Sequence, residues 1–197
     1  MMAAETWRTK SGIIMFHLEM LSHGKPLVAI RRATKTFLQQ VETIGTATTV
    51  DLSTRSGGED VLRWTGIFDP VRMYQYLEAY PDTTRVWINC DLRCQDDGRR
   101  EFVIPGGLYF WVQLMEVNSP PEKPLELNIT LDTDIYIPKS WGRKRDNRTL
   151  AACNAPRFNQ FLAVFLEQTG ATVESVSADD YYGQVDVTGI VLHDPCD

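Results

Sequence analysis

The sequence predicts an α+β fold, a largely antiparallel, mixed sheet with about three helices packed mainly on one face. The stretch 125–137, LELNITLDTDIYI, is the strongest observation: Leu125, Leu127, Ile129, Leu131, Ile135 and Ile137 hold odd positions, while Glu126, Asn128, Thr130, Asp132, Asp134 and Tyr136 hold even ones. A period of two describes a strand with one apolar and one polar face, and such alternation belongs to antiparallel sheets left open on one side. Helical spacing recurs three times along the chain. Between these segments, Thr- and Val-rich runs bounded by Gly, Pro and Asp read as further strands.

In chain order, residues 12–21 read as a first strand, closed by the turn-like Ser22-His23-Gly24-Lys25. Residues 26–32 fit either a returning strand or the start of a helix. From Ile30, the residues Ala33, Phe37, Leu38, Val41 and Ile44 share one helical face, and Gly45 suits the position just past the helix. Strands follow at 46–53 and 60–68. Asp69-Pro70 then supplies a capping side chain and a proline for the first helical turn, and Pro81 stops that helix. Residues 83–92 alternate as a strand, with Cys90 on the apolar parity. Residues 95–98 suggest a hairpin turn, 102–104 continue the pairing, Pro105-Gly106-Gly107 interrupts it, and 108–117 form a nearly continuous apolar strand expected at the sheet centre. A proline-rich loop at 118–124 leads into the long strand. The basic loop 138–153 precedes a helix at 156–169 whose Phe158, Phe161, Leu162 and Phe165 share a face. Strands at 171–178 and 184–192 close the chain. Helix, glycine and Thr/Val strand occur in that order twice, around Gly45 and Gly170, a pattern common enough to arise without duplication.

The 197 residues suffice for a real core and are read as a single domain, 1–197, containing the loops 118–124 and 138–153. A net charge of −6 argues against nonspecific attraction to nucleic acid or anionic lipid. Charge is unevenly placed. Residues 171–197 hold six Asp or Glu and no Lys or Arg, whereas 139–148 hold five basic residues against Asp146. No signal-peptide-like or membrane-spanning run is visible, so a cytoplasmic location is expected. Cys90, Cys94, Cys153 and Cys196 show neither disulfide-framework nor zinc spacing. Asn128-Ile-Thr130 and Asn147-Arg-Thr149 match the glycosylation pattern, which has no meaning without secretion.

Candidate chemistry is sparse. Asp132 and Asp134, alternate on a strand, would place two carboxylates on one side, where a divalent metal is held in metal-dependent hydrolases. A solvated sheet face is the simpler explanation, since an Asp-x-Asp pair alone is a common pattern. His17 and Glu19 share a strand face and offer a base and a carboxylate, but no nucleophile turn accompanies them. No glycine pattern suggests a nucleotide, and no cofactor is implied. Trp141 among Arg and Lys resembles a base-stacking arrangement, which the acidic total opposes. The reading that remains is a non-catalytic, acidic interaction protein that binds another protein with a basic surface, in character like an immunity-type, toxin-neutralising inhibitor. Its anchors would come from Trp87, Trp111 and Trp141, and from the patch Asp179-Asp180-Tyr181-Tyr182. The alternative is a metal-dependent hydrolase using Asp132 and Asp134, assisted by His17 or Glu19.

Overall fold

In a computed structural model, residues 14–55, 58–65, 68–115, 124–140, 145–178, 181 and 183–192 are described, with 58–65, 140 and 145 described by backbone alone. In chain order the elements are β1 (Ile14–Met20), α1 (Pro26–Val41), β2 (Gly45–Thr54), β3 (Gly58–Thr65), α2 (Pro70–Ala79), β4 (Thr83–Gln95), β5 (Glu101–Leu114) and β6 (Leu125–Leu131). They continue with β7 (Lys139–Ser140), β8 (Arg145–Asp146), α3 (Arg148–Thr169), β9 (Ala171–Ser177), β10 (Val185–Asp186) and β11 (Gly189–Ile190). Among the described residues, seven strands form one sheet in the order β3-β2-β4-β5-β6-β1-β9. Every neighbouring pair in it is antiparallel. The two-residue strands form small hairpin pairs outside it.

The three helices lie on one face, as the alternation requires. β1 buries Ile14, Phe16, Leu18 and Met20 while Met15, His17 and Glu19 stay partly open. Phe37 of α1 stacks on Phe110 of β5 with ring centroids 4.3 Å apart, and Phe158 of α3 meets Phe16 at 5.5 Å. Phe165 closes the same cluster against Phe110 at 6.1 Å. Burying such rings removes about 150–250 Å² of apolar surface each, so this layer dominates the stability. Helix α2 buries Met73 and Leu77 and is tied to α1 by the Lys35–Glu78 ion pair. Asp69 caps it, its Oδ1 accepting from the backbone N–H groups of Val71 (3.0 Å) and Arg72 (3.2 Å).

Several sequence expectations change. Residues 26–32 are helical, with Pro26 in the first turn of α1. Gly45 is the first residue of β2 rather than a left-handed helix cap. A side chain there would run into the backbone carbonyl of Asp91, so a close strand approach explains the glycine. β5 runs unbroken through Pro105-Gly106-Gly107. Its register against β4 shifts between Cys90 and Leu92, and the N–H of Gly106 donates to Asp91 Oδ1 at 2.8 Å. Helix α3 starts at Arg148, so the expected 138–153 loop is partly helix and Pro156 lies inside it. Proline there removes a single backbone donor, and the buried Phe158, Phe161 and Phe165 face outweighs it. Gly170, at φ 67°, is the expected left-handed cap, so the two helix–glycine–strand passages differ in geometry.

The largest correction concerns the long strand. β6 ends at Leu131, the last residue in register with β5 (opposite Leu108), although β5 itself continues back to Glu101. The chain then turns: Thr133 Oγ1 accepts from the N–H of Ile135 (3.4 Å), and the N–H of Ile137 donates to the carbonyl of Asp134 (3.0 Å). Ile135, Tyr136 and Ile137 all become buried, and Tyr136 packs on Phe158 of α3 with centroids 5.6 Å apart. The apolar periodicity therefore continued past the strand because a turn tucks its residues under a helix.

Candidate functional site

The face of the sheet away from the helices is where the polar parity of each strand gathers. One cross-strand row runs over all seven strands: Arg63, Asp51, Trp87, Trp111, Asn128, His17 and Ser175. The adjacent row is Thr65, Thr49, Asn89, Tyr109, Thr130, Met15 and Ser177. Antiparallel pairing with side chains alternating between faces forces the residues of these rows on β2, β4, β5, β6, β1 and β9 onto one surface. At about 4.8 Å per strand, seven strands make a surface roughly 30 Å across.

Its centre is aromatic. Trp87 lies 5.7 Å from Trp111 and 6.4 Å from Tyr109, the latter edge-on at 76°. All three sit on β4 and β5, the third and fourth strands of the seven. Trp87 remains 38% exposed. Its Nε1–H donates to Asn89 Oδ1 at 3.0 Å, and Asn89 Nδ2 in turn donates to Thr49 Oγ1. The ring is thus braced by two neighbouring rings and a hydrogen-bonded amide, a pre-organised anchor with little rotamer freedom left to lose.

Polar groups flank this centre. Glu126 is held by two amides, accepting from Gln113 Nε2 at 3.0 Å and Asn128 Nδ2 at 3.2 Å. Asn128 is 2% exposed, and its Oδ1 has no hydrogen-bond partner among the described residues; neither has Trp111 Nε1, directly opposite it. Asp51, Glu126 and Glu19 belong to this face and so does Arg85, so carboxylates outnumber guanidinium groups among the described side chains.

His17 and Glu19 do share the face that the sequence assigned them. His17 Nε2 meets Ser177 Oγ at 2.9 Å on the rim of the sheet, a contact between residues 160 apart that no local pattern signals. Ser177 is exposed and the pair lies on an open surface, not in a cleft that would exclude water or orient a reacting group. Asp132 and Asp134 are not a solvated pair. Asp134 is fully buried beyond the end of β6, its carboxylate oxygens without a hydrogen-bond partner among the described residues, while its backbone carbonyl accepts from Asn147 Nδ2 at 3.0 Å. Asp132 stays half-buried. Among the described residues no group of three or more His, Cys, Asp or Glu is placed to hold a metal.

Of the expected protein-binding patch, Tyr181 is only 2% exposed and belongs to the core, which removes it as a surface anchor. Asp179, Asp180, Tyr182 and Trp141 lie outside the described residues. Both glycosylation-pattern asparagines, Asn128 and Asn147, are buried, so neither could carry a glycan in this fold. Cys94, beside the Tyr136 hydroxyl at 3.8 Å, has its thiol pushed up to about 12 by burial, and burial pushes Cys90 up further still. Neither is a nucleophile.

Compared with protein-family models, curated proteins and solved structures, the chain finds no match.

Proposed function

We propose that the chain is a non-catalytic protein-binding scaffold whose working surface is the sheet face opposite the three helices, around Trp87. The observation that carries this reading is the position of Trp87, Trp111 and Tyr109 at the centre of that face, ringed by amides, hydroxyls and carboxylates. An aromatic centre with a polar rim is the arrangement found where binding energy concentrates in protein interfaces. A face about 30 Å wide also has room for the roughly 800 Å² per partner that a standard interface buries. The excess of carboxylates suits a partner with a basic rim, as a toxin held by an immunity-type inhibitor would present. Among the described residues no helix is long and apolar enough to cross a membrane. Cys90, Cys94 and Cys153 are free thiols, which suits the reducing cytoplasm.

The test is capture of the partner from lysate of the source organism, followed by binding of the purified partner to surface variants. Trp87→Glu and Tyr109→Glu should each weaken that binding at least tenfold, while Gln39→Glu on the helix layer leaves it intact. Loss on the helix-layer variant, with the two sheet-face variants binding normally, would overturn the reading.

A further inference from the structure

We infer that Trp87 and Asp51 together receive a cationic side chain of the partner, an arginine guanidinium or a lysine ammonium. This inference rests on the open face being the docking surface. Asp51 on β2 is the direct cross-strand neighbour of Trp87 on β4, so their Cβ atoms stand about 5 Å apart on the same face. Trp87 is held by Asn89, Trp111 and Tyr109, yet 38% of it remains open to solvent. An indole attracts a cation over its ring, and a carboxylate alongside supplies the opposite charge that the ring lacks. A planar guanidinium uses both at once, stacking on the indole while its N–H groups turn toward the carboxylate. Asp51 also has an interaction within the chain, which the incoming cation would have to share. Glu126 on the far side of the aromatic centre adds to the local negative field. The chain's net charge of −6 works in the same direction.

The experiment is an NMR titration of the ¹⁵N-labelled full chain, followed at the Trp87 indole N–H, which is assigned by its loss in Trp87→Phe. The probes are the peptides Ac-Ala-Arg-Arg-Ala-amide, Ac-Ala-Lys-Lys-Ala-amide and Ac-Ala-Gln-Gln-Ala-amide. A saturable shift with the arginine or lysine peptide and none with the glutamine peptide is expected, and the stronger of the two names the cation. Asp51→Asn should weaken the cationic peptide about three- to tenfold. Glu78→Gln, an equal change of charge on the helix layer, should leave it unchanged. Trp87→Ala, followed at the Trp111 indole, should abolish saturation and serves as a second variant should Asp51→Asn fail to fold. Equal shifts from the glutamine peptide, or equal weakening by Asp51→Asn and Glu78→Gln, would overturn the inference. Should the cationic peptides fail while Tyr109→Glu still weakens the purified partner, the cation site falls and the docking face stands; loss of both would sink the broader reading as well.

Discussion

At the scale of single residues, burial decides which chemically interesting groups can act. Cys90 and Cys94 alternate on β4 toward the helices and are buried, and their thiols are held far above ordinary values by that burial. In a Cys153→Ser, Cys196→Ser variant, Ellman's reagent at pH 8 should therefore label no thiol in the native chain and two after denaturation. Fast native labelling would place one of them at the surface. Asp134 is the opposite case, a carboxylate taken from water without a hydrogen-bond partner among the described residues. Burying such a group costs free energy, so the near-isosteric Asp134→Asn should raise stability by on the order of 1 kcal/mol in urea unfolding. A clear loss would mean that a cation holds this carboxylate. The sequence made Cys90 legible as a core residue because its parity matched Val86 and Ile88. It misplaced Asp134, since the apolar alternation runs on through a turn that buries Ile135, Tyr136 and Ile137 after the strand has ended.

At the scale of elements, the Asp69-Pro70 start and the Gly170 cap were read well, while the Gly45 cap, the Pro105-Gly106-Gly107 break and the ends of long elements were not. Asp69-Pro70 marks the start of α2 because capping is local chemistry, and Asp69→Ala should cost about 1 kcal/mol in a thermal or urea melt. A loss below about 0.2 kcal/mol would contradict the cap. The start of α3 was hidden because Pro156 advertises a helix start that lies eight residues earlier, at Arg148. What anchors that earlier start is also local. Asp146 accepts from the backbone N–H of Arg148 at 3.1 Å and from its guanidinium, and these bonds lower the Asp146 carboxyl from 3.8 to about 2. Because the folded value lies below the unfolded one, the contribution is present above about pH 4 and disappears as pH falls toward 2. The group is fully exposed, so salt should mute it. Backbone amide exchange in the first turn of α3 should accordingly rise between pH 4 and pH 2 more in the wild type than in Asp146→Asn, after correction for intrinsic rates. Equal change in both would remove the tether.

At the scale of the whole molecule, the one-sided architecture was readable because β1, β4 and β6 each alternate cleanly. Phe16, Ile88 and Ile129 go to the helices, and His17, Trp87 and Asn128 go to the other side. The working face was harder to see. β5 looks apolar throughout because Tyr109 and Trp111 fill its outer positions, so its sequence places it at the sheet centre, where it lies, without telling its two faces apart. Trp87 and Trp111 were legible as interface anchors, but only the register shows that they meet, with Tyr109, where a solvated sheet carries Thr or Lys. Ser177, Asn128 and Tyr109 could not be joined from sequence, since strand order and register bring them together.

The most direct test is site-specific photo-cross-linking with p-benzoylphenylalanine at position 87, on the open sheet face, and at position 39, on the helix layer. The account predicts a discrete protein adduct from position 87 that is competed away by unlabelled wild-type chain, and none from position 39. An adduct from position 39 alone would contradict it.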